Sequence, residues 1–412
     1  MKHSRFYQTV VAIAMILMGW LPSLAHDFEV DGICYNILSD NSVEVTYNGS
    51  SYNNYYEDVI IPETVTHDGS TYNVTSIGER AFYDSKLTSI KIPNSVTGIG
   101  YSAFAFCTSL TSLEIPNSVT SIGSYAFHEC SSLASIEIPN GVTDIDEWVF
   151  SDCTSLTSIE IPNSVTSIGR SAFYHCNSLT SKEIPDSVTS IGDYAFSGCS
   201  SLTSAVIGNG VTNIGERAFV YCSSLTSVEI RNGVTSIGVR MFEGCTSLTS
   251  VEIPNSVTCI DVEAFSGCTG LKSIVIPNGV TVIRMYTFAY CENLTSIEIP
   301  NSVTDIEFSV FDECRNLTEI TCLATTPPTI DYYTFSNYDA DLYVPAGCKS
   351  IYETTEYWKN FNIIEDTNAI EAVAAEHEAE YFNLQGLPVA NPEKGGLYII
   401  KRGNKIGKSI IR

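Results

Sequence analysis

The chain has 412 residues, and its 47 Asp and Glu against 21 Lys and Arg give a net charge of −26. Such a charge repels phosphate backbones and anionic lipid surfaces, which argues against a nucleic acid as the partner. Charged residues make up 17% of the sequence, while Ser, Thr, Asn, Ile and Tyr are abundant, a composition that favours strands and turns over a helical bundle.

The first residues have the features of an export signal. Lys2 and Arg5 give a basic start, residues 10–18 form an apolar run, and residues 23–25 have the small-x-Ala pattern of a cleavage site. The apolar run has about half of the roughly 20 residues that a membrane span needs. We therefore predict that residues 1–25 are a signal peptide and that the chain is exported without a membrane span.

A 23-residue repeat dominates the rest of the chain. Ten phenylalanines are spaced 23 residues apart, and a cysteine follows each of them three residues later. The phenylalanines are Phe104, Phe127, Phe150, Phe173, Phe196, Phe219, Phe242, Phe265, Phe288 and Phe311, flanked by Phe82 and Phe335. The cysteines are Cys107, Cys130, Cys153, Cys176, Cys199, Cys222, Cys245, Cys268, Cys291 and Cys314. Self-similarity at a period of about 20 to 50 residues predicts a solenoid.

One unit, residues 107–127, illustrates the fold expected of each coil. Its Leu-x-x-Leu-x-Ile segment predicts a short strand with Leu113 and Ile115 pointing inward and Glu114 pointing outward. A proline turn then ends the strand, a second extended segment follows, and residues 126–130 are expected to form a short helical turn. Because one coil cannot bury its own apolar side chains, we expect about eleven coils to stack in register at roughly 4.8 Å per coil.

The phrase S-L-T-S-I-E-I-P-N-S-V-T-S-I-G-x-x-A-F-x-x-C recurs with small changes over residues 75–335. It resembles the BspA-like, treponemal-type leucine-rich repeat family. The resemblance implies a β-rich leucine-rich-repeat solenoid of short parallel strands and short helical turns. It also implies a protein of the cell surface of a Gram-negative bacterium that acts by binding.

The flanks of the repeats resemble the ends of the same family. Residues 26–74 look like its N-terminal β cap. Residues 336–366, with Tyr352, Trp358 and Phe361 at helix-like spacing, look like its C-terminal cap. Such caps protect sheet edges that would otherwise be open.

The composition changes after residue 366. Residues 367–380 are rich in Ala and Glu and indicate a linker, with a short helix as the alternative. Residues 381–412 alternate apolar stretches with Gly turns, which predicts a small β unit. This tail resembles the C-terminal sorting segment of type IX secretion cargo but is shorter than a full sorting domain. A terminal β unit without sorting activity is the alternative.

The cysteine column is expected to consist of buried free thiols. Export permits disulfides, but parallel in-register side chains point the same way and need backbone distortion to form a bridge. A buried cysteine behaves as a small apolar residue. No C-x-x-C pair or histidine at ligand spacing accompanies the column, so we expect no metal and no cofactor. The redox state of Cys34, Cys259, Cys322 and Cys348, which lie outside the column, stays open.

An acidic column is expected on the outward face of the strands. Its carboxylates would lie about 5 Å apart on successive coils and repel one another. It consists of Glu114, Glu137, Glu160, Glu183, Glu229, Glu252 and Glu298. One interpretation is a docking surface for a basic protein; the alternative is a solvated face produced by repeat duplication. Calcium binding is a weaker interpretation.

The repeat also breaks at a few positions. Lys182 and Ala205 replace apolar residues of one inward column, and Arg231 replaces a turn proline. A partner could dock at this break, or the substitutions could be drift.

The sequence has none of the catalytic or phosphate-binding motifs that we sought, including H-E-x-x-H and G-x-S-x-G. We therefore expect no enzyme. The leading hypothesis is a monomeric, secreted or surface-displayed, adhesin-like protein that binds a protein of host matrix, host cells or other bacteria. The alternative is a structural envelope or glycan-binding scaffold without a specific protein ligand.

Overall fold

A computed structural model describes residues 26–39, 41–48, 55–56 and 58–366, together with short strands after residue 379. The predicted signal peptide at 1–25 and nearly all of the predicted linker at 367–380 lie outside the described residues. The chain divides into two compact units, Met1–Leu248 and Thr249–Arg412. Within each unit the repeats form a β-solenoid with almost no helix, so the predicted fold class is confirmed.

Each coil contributes to two columns of short parallel strands. The first column follows the Leu-x-x-Leu-x-Ile segments. In the first unit it comprises Val59–Ile60, Ile90–Lys91, Ser112–Leu113, Ser135–Ile136, Ser181–Ile184, Ser204–Ile207 and Ser227–Ile230. In the second unit it comprises Ser273–Val275, Ser296–Ile299, Glu319–Cys322, Asp341–Pro345 and Asn362–Asp366. Pairs of strands within a unit are in register, as Ser181 opposite Ser204 shows.

The second column follows the Val-Thr-x-Ile segments. In the first unit it comprises Gly98–Ile99, Ser121–Ile122, Asp144–Ile145, Ser167–Ile168, Ser190–Ile191, Asn213–Ile214 and Ser236–Ile237. In the second unit it comprises Cys259–Ile260, Val282–Ile283 and Asp305–Ile306. The isoleucine of each strand is buried, and the residue before it is partly or fully exposed, as the two-residue period of a strand requires.

The described residues form about 13 turns rather than the eleven expected from the repeats. The difference arises because segments without the repeat signature continue the first strand column. Val59–Ile60 pairs with Ile90–Lys91 ahead of the first full repeat. Asp341–Pro345 pairs with Glu319–Cys322, and Asn362–Asp366 pairs with Asp341–Pro345 beyond the last repeat.

The expected helical turn at residues 126–130 is wrong. Tyr125 and Glu129 have positive φ angles of 61° and 55°, so the backbone cannot continue as a right-handed helix. Alternate backbone amides instead donate to the next coil, as Phe127 N–H does to the carbonyl of Val149. The amides between them close local turns, as Cys130 N–H does onto the carbonyl of Phe127. The third side of the coil is therefore a hydrogen-bonded ladder between coils.

The core of each unit contains a stack of the repeat phenylalanines. Phe150 is fully buried, and its ring centroid lies 5.6 Å from that of Phe127 and 5.5 Å from that of Phe173. The cysteine column lies beside this stack. The thiol of Cys176 donates to the carbonyl of Phe150 in the preceding coil at 3.1 Å. All ten column cysteines are buried and free.

The N-terminal cap is antiparallel at its outer edge. Phe28–Val30, Ile33–Ser39 and Ser42–Thr46 pair in sequence. Ser42–Thr46 then pairs in parallel with Ser70–Ile77, which also pairs with Thr64–His67. The change from antiparallel to parallel pairing lets the cap cover the first coil while a short hairpin strand forms the edge.

The C-terminal cap packs aromatic side chains against the last coils. A helix at Lys349–Thr354 and a 3-10 turn at Trp358–Asn360 contribute Tyr352 and Trp358, both fully buried. The predicted tail contains four strands, Glu380–Phe382, Pro388–Val389, Leu397–Arg402 and Lys405–Ile410, in one antiparallel sheet.

Removing one ring of the phenylalanine stack should strongly destabilise the first unit. Phe150→Ala is expected to lower the free energy of unfolding by on the order of 3–5 kcal/mol, because a large cavity remains between two well-packed rings. Chemical denaturation would measure the loss. Ile60→Ala, at a side chain that is 71% exposed, is the control and should change little. Equal effects of the two substitutions would contradict a dominant role for the stack.

Candidate functional site

The glutamates of the acidic column are on the outer face of the first strand column. All seven glutamates are exposed, and the residues on either side of each in the strands face inward: Glu183 lies between buried Lys182 and Ile184. In the first unit Glu183 pairs in register with Val206, which pairs with Glu229. In the second unit Glu298 pairs with Val275 and Thr321. The column therefore presents one outward side chain per coil.

In the part of the chain that the structure describes, most of the acidic column has no ionic partner. Arg231 Nε lies 2.9 Å from Glu229 Oε1. The other six glutamates form no ion pair among the residues that the structure describes. Next to the column is a strip of outward serines, such as Ser112, Ser135 and Ser181, which are also exposed. This face is thus acidic, hydroxylated and accessible.

At the repeat break, Lys182 lies inside the solenoid. Its side chain is 5% exposed, and Nζ donates to the carbonyl of Ile159 in the preceding coil at 2.5 Å. Burial lowers the pKa of the Lys182 ammonium to about 8, although the negative charges of Glu160 and Glu183 oppose this by raising the pKa. Ala205 pairs with Lys182 in register and is also buried. Neither side chain contacts the surface in this conformation.

Arg231 is the residue of the predicted break that reaches the surface. Besides Glu229, its guanidinium lies 3.4 Å from Asp186 Oδ1, which belongs to a turn two coils earlier. The backbone N–H of Asn209, in the coil between them, donates to the same carboxylate at 2.7 Å. Hydrogen bonds from Asn209 and attraction by Arg231 lower the pKa of Asp186. The break thus replaces a proline turn with an ionic contact that spans three coils.

An aromatic surface lies on the turn side of the first unit. The ring centroid of Trp148 lies 5.8 Å from that of Tyr125 and 5.6 Å from that of Tyr174. Asp152 lies between two histidines, with oxygens 3.3 Å from His175 Nδ1 and 3.9 Å from His128 Nδ1. The sequence signal was an aromatic residue two positions before the repeat phenylalanine, at Tyr125 and Trp148.

A cleft of about 480 Å³ opens in the N-terminal cap. Tyr35, Tyr55 and Tyr56 line it together with Asp31 and Asp58. The Tyr35 hydroxyl is buried and has no hydrogen-bond partner among the described residues. This cleft could not be predicted from the residue pattern, because its lining comes from separate strands and turns of the cap.

No helix in the described part of the chain has the length and apolar character needed to cross a membrane. The parallel strand columns, the stacked 23-residue coils and the inward leucine and isoleucine positions define a leucine-rich-repeat solenoid.

The family model for the BspA type leucine-rich repeat region, present in six copies, matches residues 52–180, 166–295 and 235–364. The chain therefore belongs to the BspA-type leucine-rich repeat family. No curated protein is detectably similar to it.

Several solved structures of bacterial leucine-rich repeat proteins are similar to the chain. A leucine-rich repeat protein of Bacteroides ovatus is 27% identical, with 83% of this chain and all of that chain covered and a TM-score of 0.49. A leucine-rich cell surface protein of Faecalibacterium prausnitzii is 28% identical over 66% of this chain and 93% of its own, with a TM-score of 0.34. The pneumococcal vaccine antigen PcpA is 17% identical over 84% and 99%, with a TM-score of 0.47.

Replacing Lys182 by isoleucine, the residue that the preceding coil has in the same column at Ile159, should stabilise the protein. The folded-state pKa of about 8 lies below the usual lysine value of 10.5. Between these values the unfolded chain holds a proton that the folded chain has released, so the free energy of unfolding of the wild type rises with pH across this window. Below pH 8 both states are protonated, and the buried charge costs on the order of 3 kcal/mol.

Lys182→Ile is expected to recover a gain of that order at pH 7 and to lose the extra rise in stability between pH 8 and 10.5. Chemical denaturation at pH 7 and at higher pH would measure both effects. Lys91→Ile removes the same charge from an exposed position of the first strand column and is the matched control. If the pH dependence of Lys182→Ile equals that of the wild type, the charge of Lys182 is not buried as described.

Proposed function

We propose that this chain is a non-enzymatic, secreted or surface-displayed protein of a Gram-negative bacterium that mediates adhesin-like protein–protein binding. The observation that carries the proposal is the exposed acidic column, in which one carboxylate per coil faces solvent over four successive coils from Glu114 to Glu183. The partner would be a basic surface of a host matrix protein, a host cell protein or another bacterium. The protein would act as a monomer and without a cofactor.

The spacing of the acidic column favours a partner whose positive charges are spread over several coils. Two carboxylates about 5 Å apart repel by roughly 1 kcal/mol when water screens them. That repulsion is small enough for a solvated face to tolerate on every coil. A partner carrying lysines and arginines would remove the repulsion and gain attraction at several coils together, which increases the association rate and makes binding sensitive to salt.

The neighbouring residues suit a protein partner better than a small ligand. The serine strip supplies short hydroxyl groups that can donate or accept hydrogen bonds without obstructing close approach. A standard protein interface buries about 800 Å² per partner. Arg231, at the repeat break, would set the limit of the acidic face by neutralising Glu229.

The tail at residues 381–412 is proposed to deliver the protein to the cell surface. Its four-stranded antiparallel sheet is a separate element that follows the C-terminal cap, and its sequence resembles a sorting segment. The predicted signal peptide would carry the chain across the inner membrane first. Surface display follows from these two segments acting in sequence.

Protease added to intact cells should cleave the displayed protein, whereas a variant lacking residues 381–412 should be protected. Immunoblotting with and without permeabilisation would measure both. Cleavage of the truncated protein in permeabilised cells controls for its susceptibility. Protection of the wild type in intact cells would reject surface display, and equal cleavage of both proteins would reject a sorting role for the tail.

Neutralising the central acidic column should weaken binding to a basic partner. The triple variant Glu137→Gln, Glu160→Gln and Glu183→Gln is expected to reduce adhesion to immobilised matrix proteins by about tenfold or more at low salt, because three attractive charges are lost. The difference should shrink as the salt concentration rises. Surface plasmon resonance against a panel of matrix proteins would measure it.

The matched control is Glu129→Gln, Glu147→Gln and Glu216→Gln, which makes the same change in net charge within the same unit but away from the acidic column. It should bind like the wild type. Equal weakening by both triple variants would indicate an effect of net charge alone. Binding of every variant at the wild-type level would reject the docking face and favour the alternative of a structural or glycan-binding scaffold.

A further inference from the structure

The first hairpin of the N-terminal cap brings together three side chains that the repeat does not contain. Among the described residues, His26, Glu29 and Cys34 each offer one ligand atom, and these atoms lie within 4.8 Å of one another. Glu29 and Cys34 are directly opposite in the pairing of Phe28–Val30 with Ile33–Ser39, so both side chains are on the same face. His26 immediately precedes the first strand.

The histidine of this group has an unsatisfied ring nitrogen. Nδ1 of His26 is buried and has no hydrogen-bond partner among the described residues. A buried nitrogen without a partner is unfavourable because it has lost its water without gaining another hydrogen bond. A metal ion bound at this nitrogen would remove that cost.

The donor set selects the class of metal. One thiol, one imidazole and one carboxylate form a mixed sulfur, nitrogen and oxygen set, which Zn²⁺ accepts in tetrahedral geometry. Calcium and magnesium require several oxygen ligands and are poorly served by such a set. Cys34 is 2% exposed, His26 is partly buried and Glu29 is exposed. The group thus opens to solvent on one side, where a water molecule can be the fourth ligand.

We propose that His26, Glu29 and Cys34 form a binding site for one Zn²⁺ ion. Binding forms a bond between zinc and Cys34 Sγ as the thiol proton leaves to solvent, and neutral His26 and ionised Glu29 donate lone pairs without a change in oxidation state. The ion fastens the residues ahead of the three-residue strand Phe28–Val30 to the next strand. This short edge strand otherwise pairs with Ile33–Ser39 alone within its sheet.

Cobalt is a suitable spectroscopic probe, because Co²⁺ bound to a thiolate gives a charge-transfer band in the near ultraviolet. We would purify the full chain without a histidine tag, keep it reduced, remove metals with a chelator and titrate it with Co²⁺. One equivalent is expected to produce the band, and Zn²⁺ is expected to displace it. Absence of the band in the folded wild type would overturn the proposal.

Cys34→Ser is expected to abolish the band, whereas Cys259→Ser, at a partly exposed cysteine of the second unit, should retain it. The opposite pattern would overturn the assignment. Cys34 is buried, so circular dichroism must confirm that its variant folds. If the Cys34 variant does not fold, His26→Ala and Glu29→Gln test the site instead, because they alter less buried side chains. Each is expected to weaken Zn²⁺ binding by on the order of tenfold or more, and wild-type affinity in both would reject the three-ligand site.

Discussion

Stacking of equivalent residues at 23-residue intervals is the constraint on which each unit depends. The carbonyl of each repeat phenylalanine illustrates the coupling. In the coil that contains Phe150 it accepts the backbone N–H of Cys153, which closes the local turn, and it also accepts the thiol of Cys176 from the next coil. The same group therefore fixes the turn and the register between coils. A one-residue shift in register between coils would break the thiol bond and separate the stacked rings.

This coupling explains how the turn side tolerates an unfavourable backbone. Residues in the left-handed region cost about 1–2 kcal/mol each unless they are glycine, yet Tyr125 and Glu129 both have positive φ. Their amides donate to the carbonyls of Glu147 and Ser151 in the next coil. Because each bond requires the neighbouring coil, an isolated coil would keep the backbone cost without the compensation. Stability is therefore a property of adjacent coils, as expected for a solenoid.

The strand columns and the core could be predicted because they follow directly from residue periodicity. Alternating burial placed Leu113 inward and Glu114 outward, and the repeat spacing placed the phenylalanines and cysteines in columns. The turn at residues 126–130 could not be predicted in this way. Its apolar spacing is compatible with a helix, and the signs of its φ angles depend on hydrogen bonds to a coil 23 residues away. Coils in the caps lack the repeat signature and were undercounted for the same reason.

Parts of the candidate sites also could not be predicted from the periodicity of the sequence. Exposure of the acidic column follows from the strand pattern, but the contact between Arg231 and Asp186 joins residues 45 positions apart and depends on the reach of one side chain. The group of His26, Glu29 and Cys34 depends on the antiparallel register of a hairpin outside the repeat. A repeat predicts what every coil shares, so features produced by a single turn or by one long side chain require the three-dimensional structure.

The charges inside and beside the acidic column indicate where along it a basic partner would gain most. In the first unit Lys91 is next to Glu114 in the backbone pairing of the first strand column, although the two side chains form no ion pair. The buried Lys182 attracts Glu160 and Glu183 from within the core. Glu229 is paired with Arg231. Glu137 has no such compensation among the described residues and has Glu114 and Glu160 on the adjoining coils. The negative potential should therefore be strongest around Glu137, where the repeat is most regular. The break at Lys182 and Arg231 then acts as a boundary of the acidic face, because each of these cations reduces the charge that a partner would meet.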